Sequence, residues 1–180
     1  MSTQVDIPGY VAGTWVIDAA RSDVSFQVRL SGFATVRGRF GGVEGTIVTT
    51  EDPRSSSVSA VIRTASVNTK IPRRDEHLRS KDFLNAEQHP TITFASTGVR
   101  TDGDGVLLDG DLTVRGVTTP VTLTVAVDGF GVGHDGRPLA RFSAATEISR
   151  SDYGVTGGPV SPFIGKKVRI TLKIEADKQA

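Results

Sequence analysis

Alternation with a period of two decides most about this chain. In "SDVSFQVRL", Val24, Phe26, Val28 and Leu30 fall on one side and Asp23, Ser25, Gln27 and Arg29 on the other, the pattern of a strand with one dry face and one wet one. The same reading predicts strands near Thr14 to Ile17, Thr35 to Phe40, Val43 to Thr50 and Ser57 to Ala65, and later at Thr91 to Arg100, Val106 to Arg115, Pro120 to Asp128, Leu139 to Ile148 and Lys167 to Glu175. Each is bounded by Gly, Pro, Ser or Asp.

Nine or ten strands with one apolar face each must pair as two sheets or close into a barrel, and periodicity alone does not choose. A chain of 180 residues with 20 Gly and 8 Pro fits one all-β domain. Two turns stand out. "TDGDG" (Thr101 to Gly105) supplies the positive φ of a hairpin loop, and "VRGVTTPVTL" reads as a second hairpin with Gly116 in the turn and Pro120 opening the next strand. "FGVGHDGRP" (Phe130 to Pro138) reads as a longer, mobile connection.

Residues 68–86 break the pattern. Asn68 or Thr69 can cap, Pro72 suits a first helical turn, and "RRDEHLRSKD" is built of helix formers with Asp75 and Glu76 early, where the macrodipole favours them. The spacing predicts a helix of two or three turns. Leu78, Phe83 and Leu84 cluster at its end, so the segment would lie across a barrel mouth or sheet edge with its charges in water.

Several chemistries are excluded or poorly supported. The 21 basic and 20 acidic residues leave a net charge of +1, which gives no footprint for a nucleic-acid partner. There is no cysteine, and so no disulfide or thiolate metal site. His77 and His89 lie 12 residues apart, the remaining histidine being His134, a spacing that does not suggest a metal site. No Gly-x-Ser-x-Gly elbow and no helix-opening Gly-x-Gly-x-x-Gly occurs, and no cofactor is called for. Paired carboxylates among Asp75, Glu76, Asp82 and Asp152 remain candidates for acid and base, His77 with one of them in particular. The start "MSTQVDIPGYVAG" has neither a basic n-region nor an apolar h-region, and no apolar run suits a membrane-spanning helix; a cytoplasmic chain is expected.

"SRSDYGVTGGPVSPFIGKKV" (Ser149 to Val168) joins the last two strands. Read as strand, Arg150 and Asp152 share a face, either as a surface salt pair or as the second lip of a cavity walled by Tyr153 and Phe163.

At this point a resemblance appears. "HLRSKDFLNAEQHPTITFAST" closely resembles the signature of the YceI-like family, and "GRFGGVEGTI", "GDLTVRGVTTPVTL" and "SRSDYGV" resemble that family's other blocks in order, across about residues 13 to 176. The resemblance implies an antiparallel, lipocalin-like β-barrel with a short helical segment at its flank or mouth. It also implies a long hydrophobic pore that binds a polyisoprenoid, a quinone-like molecule or a fatty-acyl lipid. Members are often dimers, many are periplasmic or secreted, and they are carriers or stress-associated proteins without an agreed enzymatic activity. Two positions depart: the family's Asp-x-x-His-Ser stands here as Asp18-Ala19-Ala20-Arg21-Ser22, and its Phe-Phe pair as Phe83-Leu84.

Taken together these readings assign the pore wall to Phe26, Val28, Phe40, Ile62, Phe94, Leu112, Val114, Leu123, Phe142, Tyr153 and Phe163, and the lid to Leu78, Phe83 and Leu84. Arg73, Asp75, His77, Arg150 and Asp152 are assigned to a polar mouth. The wall positions also suit a barrel whose interior is packed solid. An enzyme acting on a lipophilic substrate, with His77 and a nearby carboxylate, is the rival.

Overall fold

The computed structural model describes residues 7, 9–32, 34–103 and 105–179, without the side chain of Asp102. Among the described residues eleven strands form one antiparallel sheet: β1 (Gly13–Ile17), β2 (Asp23–Leu30), β3 (Thr35–Phe40), β4 (Val43–Thr49), β5 (Ser57–Arg63), β6 (Val67–Asn68), β7 (Thr91–Asp102), β8 (Gly105–Val114), β9 (Val117–Val132), β10 (Pro138–Ser149) and β11 (Ile164–Lys178). The ladder order is β1-β4-β5-β7-β8-β9-β10-β11-β2-β3-β6, and β1 also pairs with β11. That last pairing closes β1, β4, β5, β7, β8, β9, β10 and β11 into an eight-stranded barrel, which removes the free sheet edges of the ring. The choice between two sheets and a barrel is thereby settled for the barrel.

β11 is long enough to hold two partners in tandem. Its far half pairs with β1 (Ile17↔Ala176) and its near half with β2 (Val28↔Val168). Beyond the closed ring, β2, β3 and β6 extend the wall at one end. There β7 follows β5 only as far as Arg63↔Thr91, β6 follows β3 at Asn68↔Arg39, and among the described residues no ladder joins β6 to β7. The chain between these two strands contains α1 (Pro72–Arg79). This end is completed by the β2–β3 and β8–β9 turns and by residues 150–163.

Turn chemistry is as expected at the β8–β9 hairpin: Arg115 (φ 53°) and Gly116 (φ 74°) sit between the paired Val114 and Val117, a two-residue turn of the type that matches strand twist. At the β7–β8 hairpin Asp102 pairs with Gly105 around Gly103 (φ 59°), while Asp104 lies outside the described residues. Two readings need correction. Pro120 lies inside β9, opposite Asp111, and does not open it; β10 joins β9 only from Thr124 onward, so Pro120 has a neighbour strand on one side and its missing N–H interrupts no second ladder. The connection after Phe130 is shorter than expected, because β9 runs on to Val132 and a tight turn follows, with Gly133 N donating to Arg137 O at 2.9 Å.

The helix forms where expected but is capped differently. Ile71 is its N-cap and makes no side-chain cap bond, while Asn68 belongs to β6. Asp75 reaches back instead: its Oδ1 accepts from Thr69 N at 2.8 Å and from Thr69 Oγ1 at 2.6 Å. The far end of the barrel packs around Trp15, 1% exposed, whose Nε1 donates to Thr49 Oγ1 at 2.9 Å and whose indole meets Phe130 edge-on. Phe130 also contacts Tyr10 and Phe142, which makes it core and not loop. Of Met1 to Gly13, on which the reading of an untargeted chain rests, Met1 to Asp6 and Pro8 lie outside the described residues. Among the described residues no helix is long and apolar enough to cross a membrane.

Candidate functional site

Alternation along the strands turns one side chain in two toward the barrel axis, and those side chains do not fill it. A cavity of about 730 Å³ runs between the two ends, within the range of about 300–1,000 Å³ typical of ligand sites. Inward residues such as Phe26, Val28, Val121, Val125, Val127 and Ile170 are only half-buried, although they point into the barrel. A solidly packed interior would bury them fully; these line a pore.

The structure places all fourteen apolar positions named above on this lining. Phe26 and Phe40 lie 5.5 Å apart between ring centroids. Leu78 comes from α1, Phe83 and Leu84 from the turns that follow it, and Phe83 is buried with Ile92, Leu112, Val114, Tyr153 and Val155. Tyr153 is 1% exposed and its hydroxyl is hydrogen-bonded to Thr119. Burial pushes the phenol pKa up, the bond to Thr119 opposes that, and the nearby Asp152 charge adds to it. Phe163 borders the cavity but is 60% exposed, a rim residue more than a wall.

The polar mouth is where the structure departs most. His77 lines the cavity, with Nε2 2.9 Å from Asp82 Oδ2 and its ring 4.9 Å from that of Phe83. Arg73, Asp75 and Asp152 do not line it. On α1, Arg74, His77 and Leu78 share one stripe at i, i+3, i+4 spacing, and Arg73 falls beside the stripe and into solvent. Asp75 is buried by its bonds to Thr69, and Asp152 is exposed.

Arg150 lines the cavity, yet not as half of a salt pair with Asp152. Residues Arg150–Tyr153 form a 3-10 turn closed by Gly154 at φ 69°, so strand geometry does not apply. The buried Arg150 guanidinium donates to five carbonyls, those of Val155, Thr156, Ser161, Ile164 and Gly165, and to Ser161 Oγ. It organises the loop from inside. Gly157 N then donates to Asp82 O at 2.8 Å, and Arg115 Nη1 to Lys81 O and Phe83 O at 2.6 Å each, which stitches the loop, the turns after α1 and the β8–β9 turn into one collar.

The sequence reading missed Arg54 and Arg74. Among the described residues the only charged or imidazole side chains on the lining are Arg54 at the far end and Arg74, His77 and Arg150 at the collar. Arg54 is held by Asp52 at 3.0 Å, and Arg74 by Thr69 Oγ1 and O. Val121, Val125 and Val127 were also missed, although they continue the alternation of Leu123. No group of three His, Cys, Asp or Glu side chains among the described residues could hold a metal ion.

Compared with known proteins, residues 15–176 match the model of the YceI-like domain. The chain belongs to the YceI-like family. Protein YceI of Escherichia coli is 36% identical over 174 residues, covering 94% of this chain and 89% of that protein. Among solved structures, Burkholderia cenocepacia BcnA superposes with a TM-score of 0.80 at 22% identity, over 88% of this chain and 98% of that one. A polyisoprenoid binding domain from Saccharophagus degradans, implicated in plant cell wall breakdown, superposes with a TM-score of 0.68 at 18% identity, over 94% and 100%. Of the two positions that depart from the resemblance, Phe83-Leu84 lies in the collar and Arg21 at the other end, its Nη1 3.3 Å from Glu175 Oε2.

Proposed function

We propose that this protein is a single YceI-like domain that binds a polyisoprenoid or another long-chain lipid in the barrel pore, for storage or transport, without catalysing its conversion. The observation that carries the reading is a lining that is aliphatic and aromatic from Leu78, Phe83 and Leu84 at the collar to Tyr10 and Pro53 at the far end. At about 0.8 kcal/mol for each buried CH₂, a chain of about 15 to 20 carbons gains enough to offset the cost of immobilising it without a polar anchor. The polyisoprenoid-binding structural neighbour supports the same ligand class. Quinone-like and fatty-acyl chains satisfy the same walls. Arg74 Nη1 and His77 Nδ1, which make no hydrogen bond among the described residues, favour a headgroup with oxygens, whereas Arg150 spends its donors on carbonyls.

Native mass spectrometry of freshly purified protein, followed by solvent extraction, tests this. A stoichiometric apolar adduct, displaceable by added polyprenyl or fatty-acyl compounds, is the expected result. A clean unliganded mass unmoved by either compound class would reject it.

A second reading rests on the 2.9 Å contact of His77 with Asp82 beside the pore, the arrangement of a base and its orienting carboxylate. It requires turnover of a lipophilic substrate with a bell-shaped pH profile, abolished by His77→Ala.

A further inference from the structure

Two features of the collar are not used by pore binding. The first is exposed apolar surface. Phe163 is 60% and Val160 37% exposed, both on the border of the cavity, and Ile71 at the entry to α1 is 48% exposed. Large apolar groups gathered around an opening mark a surface that meets something apolar.

The second is charge placed beside them. Where β11 shifts register against β2, Ile164 pairs with Leu30 and Val168 with Val28, so Gly165, Lys166 and Lys167 together oppose the single Arg29. The bulge holds two lysines three and four residues beyond Phe163, whose carbonyl accepts from Ser31 N at 2.7 Å and is thereby fixed to the β2–β3 turn. Arg29, Arg37, Lys70, Arg73, Lys81 and Lys166 are all exposed, and none forms an ion pair among the described residues. The segments that build this end, residues 29–37, 68–90, 114–118 and 149–167, hold eleven of the 21 basic and five of the 20 acidic residues. Their net charge is +6, and the rest of the chain carries −5. The collar end is therefore basic although the chain's net charge is only +1.

We propose that the collar docks on an anionic lipid bilayer, with Phe163 and Val160 entering the boundary between headgroups and acyl chains and Arg29, Lys166 and Lys167 meeting lipid phosphates. An apolar tip ringed by unpaired cations is the chemistry of interfacial anchoring. The rim is continuous with the pore lining, so a docked collar gives a lipid chain an apolar path from bilayer to barrel. A second copy is a poorer occupant: two collars of +6 repel when brought face to face. The proposal goes beyond pore binding, because docking is read on vesicles whether or not the pore is filled.

The test is sedimentation with vesicles of phosphatidylglycerol and phosphatidylcholine, against phosphatidylcholine alone, for the wild type, Val160→Ser/Phe163→Ser and Lys166→Glu/Lys167→Glu. Binding should require phosphatidylglycerol, fall at least tenfold in each variant, and weaken in 0.5 M salt, which shortens the reach of exposed charges. Circular dichroism and melting of the variants should match the wild type, because the changed side chains are exposed. Equal binding of all three proteins, or of both vesicle types, overturns the proposal. So does a wild-type dimer that Phe163→Ser converts to monomer without vesicle binding, which would assign the rim to a second copy.

Discussion

Phe26 and Gly38 face each other across the β2–β3 ladder, and the phenyl ring occupies the space above residue 38: a β-carbon there would stand 2.5 Å from Phe26 Cζ and 2.8 Å from Thr69 Cγ2. The glycine lets an aromatic ring lie against the wall instead of across the pore. Gly110 does the same for Phe94. Gly38→Ala should swing Phe26 inward, cost about 1–3 kcal/mol as overpacking does, and reduce the longest chain the pore retains. Melting and native mass spectrometry with a series of chain lengths measure the two effects. A ligand series unchanged by the substitution would show that the ring has another place to go.

Arg150 supports the loop through hydrogen bonds that only a fork of five N–H donors can make. Arg150→Lys should therefore behave almost as badly as Arg150→Met. Each leaves the buried Val155 carbonyl unpaired, at about 1–3 kcal/mol, and the part-buried carbonyls of Thr156, Ser161, Ile164 and Gly165 at less. Chemical denaturation gives the stability, and limited proteolysis should find new cleavage between residues 151 and 163. A lysine variant as stable as the wild type would contradict this account.

The three residues assigned to a lid are not equivalent. Phe83 is 8% exposed and packed into the core, whereas Leu78 and Leu84 are half-buried against the same cluster. Phe83→Ser should cost about 3–5 kcal/mol, as truncating a core phenylalanine does. Leu78→Ser/Leu84→Ser should lose retained lipid with a smaller loss of stability. Titration and melting separate the two; parallel loss of both quantities in the leucine pair would remove the lid role.

Glu175 offers a pH test. Its carboxyl is held below the ordinary glutamate value, first by the hydrogen bond from Arg141 Nε at 3.0 Å and then by Arg21, against the opposing effect of burial. A depressed folded pKa means that the stabilisation is present above the unfolded pKa of about 4.3 and is lost as pH falls through the lower folded value. Both arginines are about half exposed, so the screened contribution is about 1 kcal/mol, or about 2–4 °C in a domain of this size. Wild type should melt above Glu175→Gln by that margin near neutrality, and the gap should close as the pH falls below the unfolded glutamate value. A gap independent of pH would contradict the assignment.

The strand pattern was legible because burial on a barrel follows the same period of two as the side chains. β3 spans Thr35–Phe40, as the alternation predicted. β9 was read short at both ends because Pro120 and the glycines after Phe130 look like terminators until their neighbours in the ladder are known. β6, two residues long, carries no readable period. At the site, aromatic residues drew attention and the valines of β9 did not, although both alternate alike. Arg150 could not be read, because its five carbonyl partners span Val155 to Gly165 and meet only after Gly154 turns the chain. The contact of Gly157 with Asp82 joins segments 75 residues apart, and no local rule connects them.

The interval between β6 and β7, where α1 and its turns stand in place of a ladder, separates two rates that a continuous barrel would tie together. For the proposed ligand, passage through that side of the wall would require Leu78 and Leu84 to change rotamer over a Phe83 that stays packed in the core. It breaks none of the backbone pairing that closes the eight-stranded ring. Loading and release of the proposed ligand would therefore be fast while global unfolding stays slow, and a measured residence time would report on those two leucines and not on the durability of the fold.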